Sequence, residues 1–212
     1  MTVRNMYHWT QEAHLYIDLM FKREFVRGFR AIDAIKPIET LNILDAGCGF
    51  GSFTRELAEY FEPISIFGCD IDKKCIDTCQ NKNTSITYFV QDLLQPIQTS
   101  ESFDLVILTT AMAQFSETEQ HNVLENIKNK LNQGGFIWVV DVNNDATESI
   151  FSYLASQHLV VYKNKYSKQL LNKFPIYSLT KYLPLSIVHI MDRLGIGSNV
   201  LTQIILQIER TP

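Results

Sequence analysis

The chain has 212 residues, of which 46% are hydrophobic and 20% are charged, and its formal net charge is −4. This length and balance indicate one globular domain with a sizeable core, and they exclude a disordered chain and a coiled coil. No apolar run approaches the roughly 18 to 20 residues that a membrane-spanning helix needs, and residues 1–10 lack the pattern of a secretory signal. The four cysteines have neither the number nor the spacing of a disulfide framework or a C-x-x-C metal site, so we expect a cytoplasmic protein without zinc.

The charge is unevenly distributed along the chain. Residues 1–150 contain 12 basic and 21 acidic side chains, whereas residues 151–212 contain 7 basic and 2 acidic ones, a net charge of +5. Between residues 162 and 182 the lysines alternate with tyrosines and phenylalanine. Such a stretch either forms a solvated face whose rings pack inward or contacts an anionic substrate, RNA or a membrane surface. The negative total argues against general nucleic-acid binding.

The periodicity of apolar residues predicts helices and strands in alternation. Residues 7–35 have helical spacing and end before Pro37. Short apolar runs then predict strands at 41–45, 64–69, 86–90, 103–108 and 136–140, and helical spacing predicts helices at 52–61, 72–81 and 117–131, the last of them ended by Gly134 and Gly135. Because each predicted strand is apolar throughout, the sheet is expected to be parallel and covered on both faces. The sequence therefore predicts a doubly wound α/β fold.

The pattern is weaker after residue 142. Residues 145–157 and 183–194 are predicted to be helical, and residues 200–208 are predicted to form a last strand because β-branched residues alternate with Thr and Gln. No linker composition marks a boundary, so we predict a single domain over residues 1–212. Its expected parts are an N-terminal helical lid (1–38), a cofactor-binding core (39–142) and an acceptor or lid region with the last strand (143–212).

A glycine-rich loop lies between the first predicted strand and its helix. Residues 45–51 read Asp-Ala-Gly-Cys-Gly-Phe-Gly. Glycines at such a junction let the backbone approach a ligand closely, and ligands of open α/β sheets bind at the carboxyl ends of the strands. Ser52 stands where a dinucleotide fingerprint would have its third small residue, and the absence of a Lys-Ser/Thr pair excludes a Walker loop.

Three acids follow strand ends in a pattern that suits a particular ligand. Asp45 precedes the glycines, where a carboxylate would repel a pyrophosphate but attract a cationic amine. Asp70 ends the second strand, where it can accept hydrogen bonds from a ribose diol, and Asp92 follows the third strand, where it can meet an exocyclic amine. The predicted ligand has a ribose, an amino group and a positive charge.

With these motifs the chain resembles the class I S-adenosylmethionine-dependent methyltransferases of small-molecule type. The likeness covers residues 40–142, and the segments that carry it are 44–51, 67–72, 91–93, 103–108 and 131–135. The resemblance implies a Rossmann-like sheet of seven strands whose last strand is antiparallel, which fits residues 200–208. It also implies S-adenosyl-L-methionine as cofactor and no metal.

The resemblance assigns a role to each matching residue. It places Gly47, Cys48, Gly49 and Gly51 under the methionine part of the cofactor and Asp45 near its ammonium group. It further implies that Asp70 holds the ribose hydroxyls and that Ile71 covers the adenine. In the same way, Asp92 and the Leu93 amide read the adenine edge, and the Thr109 backbone flanks the sulfonium.

Some of these residues also allow other roles. Asp70 and Asp72 form a possible metal-binding pair, but Asp72 is better placed as a helix cap. Cys48 lacks a nearby histidine that could activate it as a nucleophile. Asp45 could instead cap backbone amides of its own turn.

The methyl acceptor is less well defined by the sequence. In-line transfer from a sulfonium needs mainly positioning and desolvation, so no catalytic residue is assigned. No Asn-Pro-Pro-Tyr motif follows the fourth strand, and the polar candidates near the acceptor are Tyr7, His8, Trp9, His14, Asp141, His158 and His189. We predict transfer to a small-molecule acceptor. Alternatives are transfer to RNA, protein or lipid through the basic C-terminal part, and cofactor binding without transfer.

Overall fold

The structure, a computed structural model, describes residues 25, 27–61, 65–81, 85–142, 145–167 and 200–208. They form a seven-stranded sheet with the order β3-β2-β1-β4-β5-β7-β6. The strands are β1 (Asn42–Ala46), β2 (Ser65–Asp70), β3 (Thr87–Val90), β4 (Phe103–Thr109), β5 (Leu131–Val142), β6 (Leu159–Ser167) and β7 (Val200–Gln207). Strands β1 to β5 pair in parallel, whereas β7 is antiparallel to both β5 and β6. The predicted doubly wound fold with an antiparallel last strand is confirmed.

Helices cover both faces of this sheet. Residues 27–33 form the helix α1, followed by α2 (Ser52–Phe61), α3 (Lys73–Gln80), α4 (Glu117–Lys128) and α5 (Asp145–Gln157). The first three helices share one apolar cluster with the sheet, which we call the α1–α3 face, and the other two share a second cluster, the α4–α5 face. Because side chains alternate along a strand, neighbours such as Ile43 and Leu44 are both fully buried, one in each cluster.

The prediction for the helix after the fourth strand was wrong at its end. Helix α4 ends at Lys128, not at Leu131, and Leu131 already pairs with Phe103 in the sheet. The chain then bulges, because Leu105 pairs next with Phe136, and Gly134 adopts a left-handed φ of +70° within the bulge. Leu131 is buried in the same apolar cluster as α4, so an apolar residue at this position fits a helix as well as a strand.

One strand was missed from the sequence. Strand β6 lies at the edge of the sheet beside β7, and it contains the first part of the basic aromatic stretch. Its lysines and tyrosines interrupt the apolar run by which the other strands were predicted, because an edge strand need not be apolar on both faces. The helix predicted at 183–194 and most of the predicted N-terminal helices lie outside the described residues, and the division into lid and core stays a prediction.

The described residues contain no helix long and apolar enough to cross a membrane. They also contain no cluster of three or more His, Cys, Asp or Glu side chains with the geometry of a metal site.

Candidate functional site

The glycine loop lies at the carboxyl end of β1 and is fixed to β2. The amides of Gly47 and Cys48 donate to the carbonyl of Cys69 at 2.8 and 2.9 Å. Gly47, Gly49 and Gly51 have φ angles of +83°, +53° and +67°, a region that disfavours side chains. A Cβ on Gly51 would lie 2.8 Å from Tyr88 Oη, whereas a Cβ on Gly49 would have nothing within 4 Å. The loop therefore presents open space above Gly49.

Asp70 joins this loop to the start of α3. Its Oδ2 accepts a hydrogen bond from the Gly49 amide and its Oδ1 accepts one from the Asp72 amide, both at 2.9 Å. A carboxylate has about four acceptor positions, so each oxygen can still accept from a ligand hydroxyl. The neighbouring Ile71 exposes 57% of its surface at the same edge of the sheet. This loop and the two side chains form one corner of the carboxyl edge of the sheet.

Asp72 has a separate role in this corner. It is the N-cap of α3, and its side chain accepts from the Lys74 amide at 2.8 Å. The predicted cap is confirmed. A capping side chain satisfies an amide that the first helical turn leaves unpaired, so Asp72 stabilises the helix that follows Asp70.

Asp45 is buried beneath the loop, with 1% of its surface exposed. Its Oδ2 accepts a hydrogen bond of 2.6 Å from the hydroxyl of Thr54, which lies in the first turn of α2. Burial raises the pKa of the Asp45 carboxyl, the hydrogen bond from Thr54 lowers it, and the nearby charge of Asp70 raises it, with a net value of about 7. Thr54 was not among the residues expected from the sequence, and it joins the site because its hydroxyl donates to Asp45.

Asp92 and Leu93 follow β3 in a tight turn. Asp92 Oδ1 accepts from the Leu94 amide at 3.0 Å, and the Leu93 carbonyl accepts from the side chain of Asn126 in α4 at 3.0 Å. The buried side chain of Gln91 closes the turn, because its Oε1 accepts from the Gln98 amide at 2.8 Å. Gln91, which had no role assigned within the segment 91–93, holds this turn in place at the carboxyl edge together with Asn126, which was not expected from the sequence.

The end of β4 is a strained point of the backbone. Thr109 is its last residue, and Thr110 has a φ of +52° while its amide donates to the Val140 carbonyl at 2.7 Å. A left-handed threonine costs about 1 to 3 kcal/mol and is found mostly at functional sites. On the next strand, buried Asp141 accepts from the Ala113 amide at 2.9 Å and fixes the turn that follows.

The remaining sequence candidates are not brought together with this corner. His158 precedes β6 at the opposite edge, beside the pairing of Leu159 with Gln207. Burial lowers its pKa. Tyr7, His8, Trp9, His14 and His189 lie outside the described residues. Cys48 is buried, and both its hydrogen bond with Cys79 and, to a lesser extent, its burial raise the pKa of its thiol. A raised pKa opposes the use of this thiol as a nucleophile.

Comparisons with known proteins place this site in a family context. Residues 43–135 match the model of a methyltransferase domain family. Two curated relatives are a ribosomal RNA small subunit methyltransferase C of Haemophilus ducreyi (30% identity) and a ubiquinone biosynthesis O-methyltransferase of Rhizobium etli (23% identity). The first alignment covers 66% of this chain and 42% of the relative, and the second covers 79% and 67%. The chain thus spans less than half the length of the first relative and about two thirds of the second.

A solved structure has the same fold. The N-methyltransferase NodS from Bradyrhizobium japonicum WM9, in complex with S-adenosyl-L-homocysteine, superposes with a TM-score of 0.59 at 18% identity, covering 88% of each chain. The strand order, the antiparallel β7 and the matched domain agree with one another. Residues 43–135 are therefore identified as a methyltransferase domain, and the described residues have the fold of the class I S-adenosylmethionine-dependent methyltransferases.

Proposed function

We propose that this chain binds S-adenosyl-L-methionine in the corner formed by the glycine loop and Asp70, and transfers its methyl group to a small-molecule acceptor. The observation that carries the proposal is the open space above Gly49, next to a carboxylate with spare acceptor capacity. A backbone without side chains at this point leaves room for the amino-acid part of the cofactor.

The residues present fit the chemical groups of this cofactor. In the proposed arrangement the glycine loop lies under the methionine part of the cofactor, through Gly47, Cys48, Gly49 and Gly51. Asp70 accepts hydrogen bonds from the ribose hydroxyls. The exposed Ile71 supplies an apolar surface for the adenine ring. Asp92 and the Leu93 amide meet its polar edge, because their turn is held rigid at the same edge of the sheet.

Asp45 acts on the charge of the cofactor. Its carboxyl is fully buried and bonded to Thr54, so in the ionised form its field reaches the loop with little screening by water. An ammonium group above the loop favours the ionised form and lowers the pKa of Asp45. Asp45 thus stabilises the bound amine at short range without needing direct contact.

The sulfonium supplies an activated methyl group, and the chain has to position and desolvate the acceptor. Thr109 and the strained Thr110 end β4 at the point where the reacting group is expected, and Asp141 fixes the turn behind them. Rigid placement of an acceptor within reach of the methyl group supplies most of the rate in such displacements. We therefore assign no general base.

A macromolecular acceptor is the second candidate. The observation that favours it is the basic C-terminal part, which includes Lys163 and Lys165 on the edge strand β6. The negative total charge and the longer alignment with the O-methyltransferase favour a small molecule. Cofactor binding without transfer remains the third candidate, and turnover distinguishes it from the other two.

The test compares two glycines that share a left-handed backbone. Gly49→Ala would fill the open space above the loop, whereas Gly134→Ala, at φ +70° with its nearest atom 3.7 Å away, lies in the bulge at the opposite edge. Both changes should lower stability by about 1 to 2 kcal/mol. Only Gly49→Ala should weaken the binding of S-adenosylhomocysteine, with an affinity at least about tenfold lower in calorimetry.

Two outcomes would contradict the proposal. One is equal affinity for S-adenosylhomocysteine in Gly49→Ala and Gly134→Ala, and the other is tighter binding of NAD than of S-adenosylhomocysteine by the unmodified chain. Transfer of a radiolabelled methyl group to small phenols, amines and carboxylates, compared with transfer to RNA and to phospholipid vesicles, separates the candidate acceptors.

A further inference from the structure

Three strands place a row of side chains on the α1–α3 face near the carboxyl edge. Thr109 of β4 pairs with Val140 of β5, and Val140 pairs with Gln203 of β7. Paired residues of neighbouring strands point to the same face of a sheet. Val140 belongs to the apolar cluster of the α1–α3 face, so Thr109 and Gln203 point there too.

The polar atoms of this row are buried without hydrogen bonds. Gln203 is fully buried, and within the part of the chain that the structure describes neither its Nε2 nor its Oε1 has a hydrogen-bond partner. The same holds for Thr109 Oγ1 and for Nε1 of Trp138, which lies two residues before Val140 on the same face. The two donors, the amide oxygen and the hydroxyl are grouped on strands β4, β5 and β7.

Such a group is energetically unfavourable as a structural element. Each buried polar atom without a partner costs about 1 to 3 kcal/mol, and native structures contain few of them. Apolar residues fit this face, because Ile205 pairs with Trp138 one step further along the same strands. The polar side chains therefore fit a ligand better than they fit the empty fold.

We propose that Gln203, with the Thr109 hydroxyl and the Trp138 indole N–H, hydrogen-bonds the methyl acceptor, and that the contacted part of the acceptor is uncharged. This inference rests on the proposed function, which places the reacting group at the end of β4. A primary amide donates and accepts at once, so it matches a carboxamide, a hydroxyl or a ketone with a neighbouring N–H.

The charges around this row agree with a neutral partner. Neither Thr109, Trp138 nor Gln203 carries a charge, and an ion buried against them would lose its hydration without gaining a counter-ion. Asp45 points to the same face, but it lies on β1, two strands away from Trp138, and is engaged by Thr54. Phe25 and Phe29 cover Trp138 with ring centroids at 4.5 and 4.8 Å, so the surroundings are otherwise apolar.

The experiment uses Gln203→Met and a matched control, Gln120→Met, in the full chain. Gln120 is equally buried and its Oε1 also has no hydrogen-bond partner among the described residues, but its Nε2 donates to the Met112 carbonyl at 3.0 Å. Because Gln203 lacks such a bond in the described residues, Gln203→Met should keep or raise the melting temperature, whereas Gln120→Met should lower it. Both variants should bind S-adenosylhomocysteine within about twofold of the unmodified chain.

Acceptor recognition is measured on protein saturated with S-adenosylhomocysteine. Acetamide and phenol serve as neutral probes, acetate and methylammonium as charged ones, and the 15N side-chain amide signal of Gln203 is assigned by its loss in Gln203→Met. The neutral probes should shift this signal and bind at least about tenfold more weakly to Gln203→Met than to Gln120→Met.

Three results would overturn the inference: a melting temperature that falls in Gln203→Met as in Gln120→Met, neutral probes that leave the amide signal unchanged, or charged probes that bind as well as neutral ones. Failure of the unmodified chain to bind S-adenosylhomocysteine would instead refute the proposed function.

Discussion

The buried polar groups at the two edges of the sheet differ in how well they are paired and in how much strain they carry. At the amino edge, Asp104 accepts from the Lys36 ammonium at 2.6 Å, and from the Asn42 amide and the Asn132 side chain at 2.9 Å each. At the carboxyl edge, Asp45 is buried with a pKa of about 7, Thr110 is strained, and Gln203 lacks partners among the described residues. The amino edge contributes stability, and the carboxyl edge retains costly groups that a ligand can use.

Opposite pH dependences should separate the two edges, and the largest effect is expected at Asp45. Its folded pKa, about 7, is raised above the ordinary 3.8. Between these values the unfolded chain loses the proton and the folded chain keeps it, so this group lowers stability as the pH rises, by up to about 4 kcal/mol above pH 7.

Asp45→Asn removes this dependence. We expect the cofactor-free variant to be more stable than the unmodified chain at pH 8, with the difference vanishing near pH 4, as measured by urea unfolding. The affinity of the unmodified chain for S-adenosylhomocysteine should rise from pH 6 to pH 8, and that of the variant should stay flat and weaker. A variant that is less stable at pH 8 would show that Asp45 belongs to the stabilising groups.

A smaller loss, of about 2 to 3 kcal/mol at pH 7, is expected from Asp104→Asn at the amino edge. Burial opposes the ionisation of Asp104, but hydrogen bonds from Asn42, Lys36 and Asn132 outweigh it and hold the pKa below its ordinary value. The stabilisation is therefore present above about pH 4 and is lost as the pH falls through the lower folded pKa. Urea unfolding at pH 7 and pH 3 measures this change. S-adenosylhomocysteine affinity should be unaffected, and a parallel loss of affinity would contradict the separation of the two edges.

The smallest effect is expected from the helix cap at the carboxyl edge. Asp72→Ala removes the acceptor for the Lys74 amide and should lower stability by about 1 kcal/mol without changing cofactor affinity.

The matched comparison is Asp70→Asn, two residues earlier. This change should weaken the binding of S-adenosylhomocysteine by about 2 to 4 kcal/mol, because charged hydrogen bonds to the ribose are lost. Calorimetry and thermal unfolding of both variants decide the point, and equal affinities in the two would refute the assignment of Asp70.

Most of the central sheet could be predicted because its local signals agree with its tertiary environment. Helix α2 has the predicted bounds, and the first five strands were located within two residues at their starts except for β5. Each is an apolar run between turn residues, and a strand buried on both faces has to be apolar throughout. The glycine loop was predictable for a similar reason, since glycine adopts the left-handed backbone of this junction without the strain that a side chain would add.

Other features depend on partners that are distant in the chain. Leu131 was assigned to a helix because its spacing fits, but pairing with Phe103 draws it into β5. Strand β6 was missed because its pairing with β7 bridges residues 159–167 and 200–207, a separation that no local pattern records. Thr54, Gln91 and Asn126 likewise became part of the site only through contacts made by folding.

The sequence by itself determined the order of the elements, the glycine loop and the acids that follow the strands, because backbone conformation and apolar period are local properties. Only the tertiary structure decided which polar groups are satisfied. It buried Asp45 against Thr54 and aligned Gln203 with Thr109 across β5. The physical reason is that burial and hydrogen bonding depend on what the sheet brings opposite each side chain, and that arrangement exists only once the strands have paired.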